Sequence, residues 1–221
     1  MLEAGVHFGH EKSKRNPRME KFIYMHRNKV AIIDLNFTRD GLQKAVAFVN
    51  EIMKKPNAEI LFVGTKRQAR SIVKKYAEEA GMPYVTRRWL GGTLTNFTTI
   101  LKSIEKLQEL KRTGEDKSLI RLTKKERAVR QKEIERLESV LEGMKNVRSL
   151  PAAIFVAGAH DERIAVAEAL RVGIPVIGIT DTNADPATVT VPIPANDDAI
   201  RSLELITSVI SKAIVSARAS K

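Results

Sequence analysis

The chain contains no cysteine in 221 residues. Disulfides, thiolate nucleophiles and zinc ribbons are therefore excluded. Aromatic residues make up only 5%, with a single tryptophan, Trp89. No apolar run reaches the roughly 18 residues that a membrane helix needs, and no signal-peptide core is visible. The setting this implies is cytoplasmic, although a plastid-encoded chain would look the same. In that setting the glycosylation-type triplets Asn36-Phe37-Thr38 and Asn96-Phe97-Thr98 carry no meaning. Neither a G-x-x-x-x-G-K-[ST] phosphate loop nor a G-x-G-x-x-G fingerprint occurs, which removes the two commonest signatures of nucleotide binding. Acidic residues are in the minority: 26 Asp and Glu stand against 38 Lys and Arg, for a net charge of +12.

That charge is unevenly placed. Residues 1–150 carry 32 basic and 18 acidic side chains, whereas residues 151–221 carry 6 and 8. A basic portion joined to a mildly acidic one suits a protein that turns one side to a polyanion. Nucleic acid is the expected polyanion, because no basic amphipathic helix with an aromatic membrane-facing side is present. The alternative is a basic surface that is merely solvated.

Apolar runs at Val30–Ile33, Glu59–Val63, Ala153–Val156 and Pro175–Ile179 suit strands buried on both faces, with Tyr84-Val85-Thr86 a weaker candidate. Helical periodicity falls between them, at about 38–55, 68–80, 161–172 and 197–217. Gly81-Met82-Pro83 and Gly173-Ile174-Pro175 supply stop signals. Strand–helix alternation with short connections predicts an α/β fold, a mainly parallel sheet flanked by helices. Residues 99–148 interrupt it. Ile100, Ile104 and Leu107 share one helical face, and Ile134, Leu137, Leu141 and Met144 share another, a narrow coiled-coil-like seam around a polar turn at 112–118. The expected organisation is a basic N-terminal arm and the first part of the α/β domain in 1–98, a protruding coiled-coil helical hairpin in 99–148, and the rest of the α/β domain in 149–221.

Three stretches carry candidate chemistry. Arg87-Arg88-Trp89-Leu90-Gly91-Gly92-Thr93-Leu94-Thr95-Asn96 combines two guanidiniums able to fork onto phosphate, an indole able to stack, and a glycine pair that permits positive φ and close approach. A tryptophan buried beside an ordinary glycine turn is its structural alternative. Gly5-Val6-His7-Phe8-Gly9-His10 precedes a cationic run with Lys12, Lys14, Arg15 and Arg18 around Asn16-Pro17, then Phe22-Ile23-Tyr24. Asn-Pro enforces an extended or turn geometry, and the clustered cations seek phosphate. Asp181-Thr182-Asn183-Ala184-Asp185-Pro186 follows a strand, and Ile193-Pro194-Ala195-Asn196-Asp197-Asp198 leads into the last helix, with Asn196 or Asp197 available as its cap.

These motifs, in this order, resemble the bacterial small-subunit ribosomal protein S-two family, and the resemblance covers essentially the whole chain, the helical insertion included. The family often carries a tryptophan just before the Asn-Pro, where this chain has Arg15. The resemblance implies a flavodoxin-like sheet with a projecting coiled-coil hairpin and a structural, non-enzymatic role in the small ribosomal subunit. It also implies a place on the solvent side between head and body. The partners implied are small-subunit (16S) ribosomal RNA, protein S-one and neighbouring subunit proteins, with no membrane and no homo-oligomer. The RNA-binding residues expected are Lys12, Lys14, Arg15, Asn16, Arg18, Lys66, Arg67, Arg70, Arg87, Arg88, Trp89, Thr93, Thr95 and Asn96. They would recognise RNA by shape and phosphate placement, with little base readout.

Two other classes stay open at this level. Gly64-Thr65-Lys66-Arg67 follows a strand and opens a helix, a place where a nucleotide-binding α/β enzyme would hold phosphate. A free RNA-binding regulator would share the charge pattern but stay outside the subunit. His7, His10, His160, Asp161 and Asp181 are of the types that bind a divalent ion, yet no complete ligand spacing appears. Ordinary hydrogen-bonded histidines, without metal or cofactor, are the favoured reading.

Overall fold

The computed structural model of the chain describes residues 1–112 and 123–219. Eight strands and six α-helices are used below. β1 (Phe8–Glu11), β2 (Ile23–Arg27) and β3 (Val30–Ile33) precede α1 (Leu35–Met53); β4 (Ile60–Val63), α2 (Arg70–Ala80) and β5 (Tyr84–Val85) follow. Next come α3 (Phe97–Arg112), α4 (Lys124–Leu141), β6 (Ala153–Val156) and α5 (Arg163–Val172), then β7 (Val176–Thr180), β8 (Val191–Pro194) and α6 (Ile200–Ala219).

Strands β4 to β8 form a five-stranded parallel sheet in the order β5-β4-β6-β7-β8. Counted within the sheet this is 2-1-3-4-5, the flavodoxin-like order, with its reversal between β4 and β6. The strands are continuously apolar because both faces are covered. In β4, Ile60 and Phe62 meet α1, α2 and α6 through Val49, Val73 and Ile206, while Leu61 and Val63 join Ile154, Val166 and Ile104 on the opposite side. Side-chain alternation along each strand thus feeds two separate cores.

Two expectations need correction. Val30–Ile33 is not a strand buried on both faces: it is the centre of a separate antiparallel sheet, β1-β3-β2, and only Ala31 and Ile33 are buried. Its hairpin with β2 turns on Asn28 and Lys29, both at positive φ (49° and 66°), the primed-turn geometry that matches strand twist. The second is β8, which was not among the expected strands and whose Pro192 and Pro194 lack a backbone N–H. It survives as an edge strand, paired only with β7, where a missing donor costs little.

α3 and α4 lie against each other, with Lys106 bonded to Glu133 (3.0 Å), Lys111 to Glu138, and Arg130 Nη2 donating to the Leu110 carbonyl (2.7 Å). The apolar stripe of α3, Ile100, Ile104 and Leu107, enters the same core as Val85 and Trp89. α4 buries only Leu141, with Ile134 and Leu137 partly covered. Since a fully buried branched side chain contributes roughly 1.5–3 kcal/mol and an exposed ion pair under about 1 kcal/mol, α4 is held far less firmly than α3. Residues 113–118 of the expected turn lie outside the described residues.

Candidate nucleic-acid interface and acidic pocket

β5 ends at Val85, and the loop that follows is organised by one carboxylate from another element. Glu168, in the middle of α5 and 9% exposed, receives the Trp89 indole N–H on Oε1 at 3.0 Å and the Gly92 N–H at 2.8 Å. Its Oε2 accepts from the Leu94 N–H (3.0 Å), the Thr95 N–H (3.2 Å) and the Thr95 hydroxyl (3.1 Å). Successive amides converging on an anion form a nest, here filled by the protein's own side chain. Burial penalises the charged form of Glu168, but the bonds from Trp89, Leu94, Gly92 and Thr95 outweigh it and hold the carboxyl below the ordinary glutamate value.

The loop's polar residues divide accordingly. Arg87, Arg88, Thr95 and Asn96 are exposed. Trp89 is packed with Val85 and Leu94, and Thr93 is buried with its hydroxyl on the Leu90 carbonyl (2.6 Å). Neither presents a free face for stacking or phosphate contact. Gly92 sits at φ 89°, where an L side chain is strained, and a Cβ on Gly91 would meet nothing within 4 Å. The glycine pair therefore does two jobs: Gly92 makes the turn and Gly91 leaves the surface open. Asn96 Oδ1 accepts from the Thr99 hydroxyl (3.0 Å) at the entry to α3.

The loop after β4 behaves otherwise. The Thr65 N–H is donated to the Glu162 carboxylate. Lys66 Nζ lies 2.8 Å from Asp197, 2.6 Å from Asp198 and 3.2 Å from Asp161. Burial works against the Lys66 charge, but Asp197, Asp198 and Asp161 overcome it and raise its pKa. Asp197, fully buried, is pushed up by its desolvation and by the like charge of Asp181, against the pull of Lys66. Lys66 is thus paired within the protein to three carboxylates. Gly64 serves packing, since a Cβ there would come within 2.6 Å of Val73. Arg67 and Arg70 are exposed, Arg70 Nε donating to the Thr65 carbonyl (2.8 Å).

The same pocket draws in the N-terminal segment. His10 Nδ1 is 3.1 Å from Asp181, and its Nε2 is 3.4 Å from Asp198. The bond to Asp181 raises the His10 pKa; burial opposes it, and Asp197 and Asp198 add to the rise. Ligand atoms of His10, Asp181, Asp197 and Asp198 all fall within 4.8 Å of one another, the one such grouping among the described residues. It has the donor types for a divalent cation; Lys66 supplies positive charge there. His7 and His160 are not part of it.

The expected basic arm is tied to the body. The His10 N–H donates to the Thr182 hydroxyl (2.8 Å) and the Asn16 N–H to the Thr182 carbonyl (2.8 Å). Arg18 reaches Asp185 at 2.6 Å, Arg15 pairs with Glu20, and Asn16 Oδ1 accepts from the Arg18 N–H (2.9 Å). Lys12 and Lys14 are exposed. Arg67, Arg70, Arg87 and Arg88 leave the carboxyl ends of the adjacent strands β4 and β5, whereas this segment is anchored to the loop after β7. Three strand spacings of about 4.8 Å separate β5 from β7, on the order of 15 Å. The basic residues form two groups rather than one.

Glu162, Glu168 and Asp198 were missed as candidates from sequence. Glu168 had a readable signal: it shares the helical stripe of the buried Ala165 and Ala169, and a carboxylate on an apolar stripe calls for a partner. Nothing local in the sequence names the loop 73–79 residues away that supplies it.

Comparison with known proteins gives one consistent result. Residues 1–217 match the family described as Ribosomal protein S2. The chain is 47% identical over 214 residues to the small ribosomal subunit protein uS2 of Salinibacter ruber, spanning 97% of this chain and 67% of that relative.

Proposed function

Because the chain belongs to the ribosomal protein S2 family, it is a structural, non-enzymatic component of the small ribosomal subunit, and we propose that it holds small-subunit ribosomal RNA by phosphate contacts from the loop after β5. The observation that carries this is the pairing of exposed Arg87 and Arg88 with a loop whose backbone is fixed from behind by Glu168. Preorganised guanidiniums lose less entropy on binding phosphate than freely moving ones. Arg67 and Arg70 extend the same contact; Lys12 and Lys14 form the second. Arg15, Asn16 and Arg18 position that second group, because their polar groups are engaged within the protein. Thr95 and Asn96 border the first contact, while Trp89 and Thr93 support it from inside.

Docking of protein S-one is a further part of the proposal. Leu2, Phe8, Tyr24 and Met25 expose apolar surface around an open cavity of about 410 Å³ beside the antiparallel sheet, and an apolar patch of this kind marks a protein-contact surface.

Replacing Arg87 and Arg88 together with Ala tests the RNA contact. The variant is expected to enter small subunits poorly in co-sedimentation, and its RNA affinity should depend less steeply on salt, the slope falling by about 2. Wild-type incorporation with an unchanged slope would remove these arginines from the interface. RNA binding without stoichiometric entry of the wild-type chain into subunits would favour a free regulator.

A further inference from the structure

Glu168 and Asp197 differ in how their buried charge is met. Asp197 has Lys66; Glu168 has five hydrogen bonds, none of them from a cation. Both oxygens are used, and every donor belongs to residues 89–95. The carboxylate projects from α5, which is packed into the core through Ala165, Val166 and Ala169. It is a fixed point on a rigid element, and the loop folds around it. Trp89 directly follows Arg88, so holding the indole within hydrogen-bond reach of Glu168 fixes the backbone one residue from the guanidinium-bearing Cα, a step of about 3.8 Å.

We propose that Glu168 is the positioning residue of the RNA-contacting loop: it draws Trp89 and the amides of Gly92, Leu94 and Thr95 inward, and so holds Arg87 and Arg88 outward. The inference rests on the phosphate-contact reading above and assigns that contact a second, buried determinant. A neutral acceptor does not replace the carboxylate. In Glu168→Gln one oxygen becomes an amide N–H₂ that faces donors, so at least two of the five bonds turn repulsive. Substitution at the sole tryptophan is not needed to follow the loop, because Trp89 itself reports on it.

The test uses the full chain with small-subunit ribosomal RNA as the probe. E168Q is expected to shift Trp89 emission to the red, increase its quenching by acrylamide, and weaken RNA binding about tenfold, with a salt slope moving toward that of the Arg87/Arg88 double variant. Adding E168Q to that double variant should cost no further affinity, because both changes remove the same contact. Thr95 is exposed, so T95V, which deletes one donor, is the companion variant should E168Q fail to fold; it is expected to move Trp89 emission in the same direction and weaken binding roughly twofold. E168Q with wild-type affinity, beside a weakened Arg87/Arg88 variant, overturns the positioning role and leaves the phosphate contact standing. An additive loss in the triple variant does the same, assigning Glu168 to general stability. Wild-type affinity in the Arg87/Arg88 variant overturns the phosphate contact and the positioning role with it.

Discussion

Two buried carboxylates in this chain are stabilised by opposite means, and the difference sets what each substitution costs. Glu168 is neutralised by dipoles, Asp197 by an ammonium. Removing Lys66 leaves Asp197, which has no exposed surface and whose Oδ2 already lacks a hydrogen-bond partner, beside Asp181 without its counter-charge. Breaking one side of such a pair is strongly destabilising. Lys66→Met should lower unfolding free energy by about 3 kcal/mol, read as a reduced midpoint in urea with an unchanged slope. A loss under about 0.5 kcal/mol would place Lys66 among ordinary surface cations. The sequence named Lys66 as a phosphate ligand because a cation after a strand, next to Gly64 and Thr65, has that pattern. What it could not convey is that Asp161, Asp197 and Asp198 arrive from two other parts of the chain.

The elements were mostly readable, and the exceptions have local causes. The stretches 59–63, 153–156 and 175–179 are strands because continuous apolar character over so few residues suits burial on both faces. β8, which carries Pro192 and Pro194, was not among the expected strands, and β3 was misplaced because Val30-Ala31-Ile32-Ile33 is as apolar as a central strand although its sheet is covered on one side. The β2–β3 turn offers a direct test at this scale. Lys29 holds φ 66°, a region that disfavours side chains bearing Cβ, and is exposed. Lys29→Gly should stabilise the protein by roughly 0.5–1 kcal/mol, since relief of the left-handed strain exceeds the added entropy of the unfolded chain. Thermal unfolding measures it, and a lower midpoint would mean that the turn is not under strain. α4 is the opposite case: its helical period and the narrowness of its apolar seam were both legible, and within the helix that seam buries only Leu141.

At the scale of the whole molecule, the carboxyl edge of the parallel sheet is divided by charge. Arg67, Arg70, Arg87 and Arg88 occupy the β5–β4 end, and Asp161, Asp181, Asp197 and Asp198 gather beyond it. In many sheets of this order the crevice at the reversal receives a nucleotide. Here the amide of Thr65 is spent on Glu162, and four aspartates surround Lys66 or its neighbours, an environment that repels phosphate. Saturating mononucleotide should therefore leave the thermal midpoint unmoved, whereas a ligand at a hundred times its dissociation constant would add about 2.7 kcal/mol. A saturable upward shift would reopen the nucleotide-binding class.

Sequence alone determined the α/β class, the order of the parallel-sheet helices and strands apart from β8, the segregation of charge along the chain, and the family, because these rest on periodicity, composition and ordered motifs that need no distant partner. It also marked Arg87 and Arg88. Tertiary structure decided which cations are paired within the protein: Lys66 and Arg18 were indistinguishable from Arg88 in sequence, and only folding brought carboxylates to the first two. It decided, too, that Trp89 faces inward. An indole is equally suited to a base or to a core, and the choice fell to Glu168, a residue on α5 whose buried charge needed the donors that this loop supplies.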